Sequence, residues 1–262
     1  MTSTTMTRPA RLADQQPPDV SFSGIPFRRL IRVEWDKATD TRAARWLLAL
    51  VAASTIGLML ASMLAPSSVA QTYTGYLGVA ALGVTILLPV VAILTLTSEW
   101  SQRTVLTTFT QEPRRTRVIT AKITVSLILA LGGTVFGGLV TAASLGLAAA
   151  SGRHLESNLT AGVLIGYLLF ILVQVLMGVA LGALLHNSAA AIVCAFALPA
   201  GFALLGHALK SVGQWVDTSY TFDWLLRSEW SGHTPQILFS LALWVAVPLA
   251  AGLIRTVQRD IH

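Results

Sequence analysis

Charged residues are scarce in this chain and are missing from four long stretches of it. Asp, Glu, Lys and Arg make up 11% of its 262 residues, against about 25% in soluble globular domains. None of the four occurs in 46–98, 123–152, 157–209 or 230–254. A soluble helix needs charge on its water-facing side, so we expect stretches of this length and composition to lie in lipid. The sequence predicts a polytopic membrane protein and excludes a soluble domain.

Cysteine and the common catalytic motifs are also missing. The single cysteine, Cys194, lies within an apolar run, which excludes an intrachain disulfide and a cysteine-based metal site. The chain has no HExxH pattern, no GxSxG elbow and no glycine-rich phosphate loop. We therefore expect no catalytic residues, no metal, no bound cofactor and no ATP hydrolysis by this chain. The net charge of +6 is better explained by membrane topology than by a nucleic-acid partner.

Six apolar stretches each have roughly the 17–25 residues that are needed to cross a bilayer, allowing for extension or tilt. The fourth and fifth must be separate, because 161–209 as one helix would run about 73 Å, more than twice the hydrocarbon thickness. The polar triplet His186, Asn187 and Ser188 predicts a tight turn between them. The expected fold is all-α, with spans at 46–64, 77–96, 123–149, 161–185, 189–209 and 236–254.

The segment before the first span has two parts. Residues 1–24 are polar, contain proline and predict a disordered tail, so the transmembrane domain is expected to cover 25–262. From residue 27, apolar side chains recur at i, i+3, i+4, i+8 and i+11, between charged neighbours. This pattern predicts an amphipathic helix in the membrane interface, with the stripe Phe27, Leu30, Ile31, Trp35 and Ala38.

The distribution of basic residues predicts the orientation. Fifteen Lys and Arg residues lie before the first span, between the second and third spans, or after the last one, whereas the opposite loops hold three. The positive-inside rule then places both termini in the cytoplasm. We expect a multi-pass protein of the cell membrane.

The predicted spans contain no Asp, Glu, Lys or Arg, which argues against proton- or ion-coupled transport. Gln174 is the most polar side chain at membrane depth, and an interhelical hydrogen bond and contact with a substrate are both open for it. Pro89, Pro199 and Pro248 interrupt backbone hydrogen bonds in mid-span and predict kinks.

The loop between the second and third spans, residues 98–123, is the most informative segment. Glu99 to Gln111 contains no Gly or Pro and predicts a short helix that Pro113 ends. Its cations could bind anionic lipid headgroups, at about 1 kcal/mol each. Alternatively, the helix could dock into another protein and transmit movement. Composition alone leaves both interpretations open.

Three segments resemble the ABC type-2 transporter permeases, in particular the small six-span permeases of actinobacterial type. The first precedes span one, the second is the 98–123 loop, and the third is the last span with the residues after it. The matching residues are Arg32, Glu34, Trp35, Lys37 and Arg42, then Glu99, Trp100, Thr104, Pro113, Arg114, Arg115, Ala121 and Lys122, and finally Trp244, Pro248, Leu249, Gly252, Arg255 and Arg259.

The resemblance implies a permease subunit without catalytic activity. Two copies, or a related pair, would sit on ABC ATPase subunits that bind ATP and Mg. The loop helix would be the coupling helix that contacts the ATPase, and the interfacial helix would add a second contact. The residues so implied are Glu99, Trp100, Arg103, Thr104, Phe109, Pro113, Arg114 and Arg115 in the coupling helix, and Arg32, Glu34, Trp35 and Lys37 in the interfacial helix.

The resemblance also implies that the second and fifth spans line the substrate path. Together with Gln174, the candidate residues are Thr85, Pro89, Phe196, Pro199 and Phe202. A path without charge suits a hydrophobic or amphipathic substrate, which such permeases export. The aromatic-rich segment 210–236 predicts short helices at the outer interface, as a lid or as an aromatic belt. A stand-alone channel or scaffold without an ATPase is the alternative function.

Overall fold

The computed structural model describes residues 25–102, 114–208 and 210–258. Those residues are almost entirely helical, and six of their helices are long and apolar enough to cross a membrane. The predicted all-α, six-span fold is therefore confirmed. The predicted tail, 1–24, lies outside the described residues.

The helices are numbered here in chain order. α1 precedes the first span, α2 to α6 are the first five spans, α7 and α8 are short connecting helices, and α9 with α10 forms the sixth span. Their bounds are α1 Phe27–Thr39, α2 Arg42–Leu64, α3 Tyr73–Ser101, α4 Arg115–Ala150, α5 Ala161–Leu185, α6 Ser188–Ala208, α7 Lys210–Val216, α8 Thr218–Arg227, α9 Thr234–Leu241 and α10 Val247–Gln258.

The sixth span contains a π-helical segment, Ala242–Ala246, between α9 and α10. It ends two residues before Pro248, which has no N–H to donate to the carbonyl four residues earlier. A wider turn beside a proline is a common way to accommodate that missing bond. A kink is predicted at Pro248, and the structure shows a π-helical segment close to that position.

α3 and α5 form the centre of the bundle. In their most apolar segments 61% and 56% of residues are buried, against 17–22% for the other four spans. Small residues allow the two helices to approach closely, since Gly178 of α5 lies against the backbone of Pro89 in α3. The core between them is aliphatic and includes Val84, Leu88, Ala92, Ile171, Val175 and Val179.

Because the spans alternate in direction, the bundle has two chemically different ends. The charged end holds α1, the last turn of α3, the first turn of α4, the α5–α6 turn and the last turn of α10. The aromatic end holds the α2–α3 and α4–α5 connections together with α7 and α8. At the aromatic end the two connections pair through backbone bonds of Glu156, whose N–H donates to Gln71 and whose carbonyl accepts from Tyr73, both at 3.1 Å.

The turn expected at His186, Asn187 and Ser188 is confirmed. His186 ends α5 in the left-handed conformation, with φ 51°. The Asn187 side chain caps α6 by accepting a hydrogen bond from the N–H of Ala190 at 3.0 Å. Two apolar spans can therefore follow each other with almost no loop.

The second and third spans are longer than predicted, which corrects part of the loop prediction. α3 continues to Ser101, so Glu99 and Trp100 belong to its last turn and not to a separate loop helix. α4 begins at Arg115, where the sequence predicted the third span to begin at 123. The remainder of the predicted coupling helix, 103–113, lies outside the described residues.

Candidate functional site

Two glutamates and two lysines from three helices meet at the charged end. Glu34 and Lys37 belong to α1, Glu99 to α3 and Lys122 to α4. Lys122 Nζ lies 2.6 Å from Glu34 Oε2 and 3.3 Å from Glu99 Oε1. Lys37 Nζ lies 2.8 Å from Glu34 Oε1 and 2.9 Å from Glu99 Oε1. We call these four residues the ion cluster.

Three members of the ion cluster are buried. The side chains of Glu34, Glu99 and Lys122 are 4%, 7% and 3% exposed, whereas that of Lys37 is 41% exposed. Lys122 also donates to the carbonyl of Thr95 at 3.2 Å. Buried charges cost several kcal/mol each unless they are paired and hydrogen-bonded. The two carboxylates and two ammonium groups balance, so the ion pairs that fasten α1 to α3 and α4 also compensate for the burial of Glu34, Glu99 and Lys122.

The charge of Lys37 is stabilised by its position. Partial burial on its own would lower the pKa of the Lys37 ammonium. The hydrogen bond to Glu34 and the charges of Glu34 and Glu99 outweigh that effect and raise its pKa above the ordinary 10.5. Lys37 therefore remains a cation throughout the physiological range and holds the open side of the cluster together.

A second set of contacts joins helix ends around the α5–α6 turn. The Trp100 and His186 rings lie 4.3 Å apart between centroids. His186 Nε2 is 2.8 Å from the Thr256 hydroxyl, and Arg115 donates to the Thr256 carbonyl at 3.0 Å. The ends of α3, α4, α5 and α10 thus converge on one point.

The start of α1 is also fixed to α4, because Arg117 donates to the carbonyl of Ile25 at 2.8 Å. This bond holds the start of α1 against the bundle, and the ion cluster holds its second half. α1 is therefore part of the same packed unit as α3 and α4.

A groove of about 890 Å³ lies beside the ion cluster. One wall is formed by α1, the second by the first turns of α2, and the third by the last three turns of α3. Its lining changes from polar near Glu99 to apolar toward the middle of the bundle. The lining includes Arg29, Leu30, Val33, Glu34, Lys37, Ala43, Leu47, Val91, Leu94, Ser98, Glu99 and Gln102.

The structure separates the residues that sequence reasoning grouped in the coupling helix. Glu99 is buried in the ion cluster and Trp100 packs on His186. Arg114 is exposed and Arg115 is half-buried at the start of α4. Arg103, Thr104, Phe109 and Pro113 lie outside the described residues.

The interfacial helix is confirmed as a helix, and its four candidate residues point in different directions. Arg32 and Trp35 are exposed, Trp35 by 37%. Glu34 faces inward and Lys37 lies at the rim of the cluster. The buried side of α1 is therefore Glu34 with Ala38, whereas the apolar periodicity alone emphasised Phe27 and Trp35.

The candidate path residues occupy unlike surroundings in one copy of the chain. Thr85 is buried and donates to the Ala81 carbonyl at 2.8 Å, and Pro89 packs on α5. Phe202 packs edge-on against Trp244, 5.2 Å between centroids, whereas Phe196 is 49% exposed on α6. Pro199 is half-buried within α6.

Gln174 is half-buried in α5. Its side-chain oxygen is buried and has no hydrogen-bond partner among the described residues. An interhelical hydrogen bond, one of the two interpretations of Gln174, is therefore not found for this oxygen.

Sequence reasoning missed the ion cluster, although a signal for it exists. Glu99 is the first charge after the uncharged stretch 46–98, and Lys122 is the last charge before 123–152. Both charges must therefore lie at the same membrane boundary, where opposite charges on adjacent helices can pair. No group of His, Cys, Asp or Glu side chains suited to a metal occurs in the part of the chain that the structure describes.

Comparison of the chain with models of known protein families, with curated proteins and with solved structures finds no match.

Proposed function

We propose that this chain is the membrane-spanning subunit of an ABC-type transporter, in which a separate ATPase subunit binds ATP with Mg and hydrolyses it. The observation that carries the proposal is the ion cluster. Segment 103–113 connects the ends of α3 and α4, and the cluster fastens both of those ends to α1 through Glu99 and Lys122. A partner that docks on 103–113 or on α1 would therefore act on α1, α3 and α4 together.

This arrangement suits the transmission of force. A displacement of segment 103–113 would reach α3, which is central in the bundle, and α4 together, since their ends are held by shared ion pairs. α1 would follow because Glu34 belongs to the same cluster. The chain itself would supply no chemistry, in keeping with the absence of catalytic motifs from its sequence.

The transported molecule would pass between two copies of the chain, or between the chain and a related permease. The middle of every span is free of charged residues. Desolvating an ionic solute there would be costly without partners, so we propose a hydrophobic or amphipathic substrate that is exported. The subunit would lie in the cell membrane with both termini in the cytoplasm, as the distribution of basic residues favours.

The test is co-purification of the tagged chain from native membranes in mild detergent, followed by identification of the bound proteins and an ATPase assay. We expect a stoichiometric ATPase subunit. The variant Arg103→Glu with Phe109→Ala should lose it, because both changes lie in the proposed docking segment. Arg114 and Arg115 are less suitable, since Arg115 also bonds to Thr256 within the chain.

The matched control is Arg227→Glu in α8. It makes the same charge change at the aromatic end, and among the described residues it disturbs an exposed i,i+4 pair with Asp223, which is worth little. This variant should retain the ATPase. Recovery of intact chain without any ATPase would contradict the proposal and favour a stand-alone channel or scaffold.

A further inference from the structure

The groove beside the ion cluster combines three features. It is large, at about 890 Å³. It has charged side chains at one level and aliphatic side chains at another. It also lies under α1, an amphipathic helix whose Phe27 and Trp35 are both 37% exposed. Each feature restricts the chemistry of what the groove can hold.

The depth of the apolar wall fits one leaflet of a bilayer. Glu99 lies level with α1, and the α3 wall continues from there to Val91, eight residues away. Eight residues of helix rise about 12 Å, which is most of the roughly 15 Å of hydrocarbon in one leaflet. Leu47 of α2 and Leu94 of α3 face the same space. An acyl chain, and not a small polar solute, matches this wall.

The charge of the groove favours an anion. Within the ion cluster, Glu34 and Glu99 are neutralised by Lys37 and Lys122. Among the described lining residues, the remaining formal charge is the exposed guanidinium of Arg29 on α1. A guanidinium binds phosphate through two parallel hydrogen bonds. Ser98 and Gln102 add hydroxyl and amide groups at the same level.

We propose that the groove is a binding site for one anionic phospholipid, with the phosphate on Arg29 and an acyl chain along Leu47, Val91 and Leu94. The lipid would occupy the space between α1 and α3 and thereby support the position of α1. This proposal is independent of the proposed transport function, because it requires only the chain and its bilayer.

The experiment is native mass spectrometry of the purified full chain. The chain is released from micelles that contain equal amounts of phosphatidylglycerol and phosphatidylcholine with the same acyl chains. We expect the chain to retain phosphatidylglycerol at least about fivefold more than phosphatidylcholine, since one cation near an anionic headgroup contributes a factor of that order. Equal retention of the two lipids would overturn the proposal.

Two variants of α1 make the test specific. Arg29→Glu should abolish the preference for phosphatidylglycerol. Arg28→Glu makes the same charge change one residue away, at a position that is exposed but does not line the groove, and should keep the preference. Equal losses in the two variants would show that only the general charge of α1 matters, which would overturn the site.

A third variant and a soluble competitor test the acyl-chain part. Val33→Trp fills the groove from an exposed position of α1 without changing its charge, and should reduce retention of both lipids. Glycerol 3-phosphate carries the headgroup chemistry without acyl chains. It should not displace phosphatidylglycerol at millimolar concentration, and displacement would show a phosphate site in place of a lipid site. Size-exclusion chromatography of every variant separates lost binding from lost folding.

Discussion

Two short helices, one at each end of the bundle, are attached by opposite kinds of interaction. α1, at the charged end, buries Glu34 and is held by two ion pairs to other helices, Glu34 with Lys122 and Lys37 with Glu99, and by the bond from Arg117 to Ile25. α8, at the aromatic end, buries Trp224 and Leu225 against α5 and α9.

The two kinds of attachment should respond differently when one of their residues is replaced. A buried ion cluster depends on charge balance, so the loss of a buried member leaves its partners with an uncompensated desolvation penalty. Apolar packing is spread over many weak contacts, so losses there are smaller and more gradual. A substitution in the ion cluster is therefore expected to detach the whole of α1 from the bundle, whereas a substitution under α8 should only weaken its packing. Variants at the two ends should therefore differ in how much stability they lose.

Lys122→Met should have the largest effect. It leaves Glu34 and Glu99 buried with Lys37 as their remaining partner in the cluster, and we expect the free energy of unfolding to fall by about 3–5 kcal/mol. The measurement is denaturant unfolding of the purified chain in mixed micelles. Arg28→Met, which removes an exposed cation of α1 outside the cluster, is the control and should change little.

A second change should partly rescue Lys122→Met. Adding Glu99→Gln restores a balanced pair, Glu34 with Lys37, and removes one buried charge. The double variant should then be more stable than Lys122→Met alone, a coupling that a double-mutant cycle measures directly. If the two losses simply added, the cluster would not be acting through charge balance.

The aromatic end provides the next test. Gly166 of α5 lies directly against the Leu225 carbonyl of α8, and a Cβ there would collide with it. Gly166→Ala should push α8 away from α5 and cost about 1–3 kcal/mol. Gly138→Ala in α4 is the matched control, because a Cβ at that position meets nothing within 4 Å.

The direction of the stability change in the control Gly138→Ala is also informative. Without a collision, alanine is favoured over glycine in a helix by about 0.5–1 kcal/mol, so Gly138→Ala should be neutral or stabilising. If Gly166→Ala and Gly138→Ala lowered the free energy of unfolding equally, the effect at Gly166 would not come from the packing of α8 on α5. The same micelle unfolding experiment measures both variants.

The two ends also differ in how far the sequence predicted them. The spans, α1 and the His186 turn follow from local patterns, namely the absence of charge, helical periodicity and one polar triplet. The short helices of 210–236 were likewise expected from local composition, and α7 and α8 confirm them. Each of these features depends on residues that are near each other in the chain.

The ion cluster could not be predicted in the same way. Lys122 is 88 residues from Glu34, and Glu99 is 62 residues from Lys37. At a membrane boundary a single Glu or Lys is expected to face water, so nothing local marks Glu99 as buried. Only the three-dimensional arrangement of α1, α3 and α4 shows that these charges neutralise each other.

A hydrogen bond at the aromatic end should matter less than the packing at Gly166. The indole of Trp244 donates to the Val216 carbonyl at 2.9 Å and so joins the sixth span to α7. Trp244→Phe keeps most of the aromatic volume but removes the donor, at an expected cost of about 1 kcal/mol. Trp215→Phe, at a position 38% exposed on α7, is the control and should cost less.

Lys37→Met should have the smallest effect, although Lys37 belongs to the same cluster as Lys122. Its side chain is 41% exposed, so water screens its ion pairs, and pairs of that kind contribute at most about 1 kcal/mol. Because the pKa of Lys37 is raised in the folded chain, its contribution is present below pH 10.5 and is lost as pH rises through the raised pKa. The stability difference between the parent and Lys37→Met should therefore shrink at strongly alkaline pH. If Lys37→Met lowered the free energy of unfolding as much as Lys122→Met, burial would not determine the strength of these ion pairs. The difference between the two ends of the bundle would then depend only on the presence of charge.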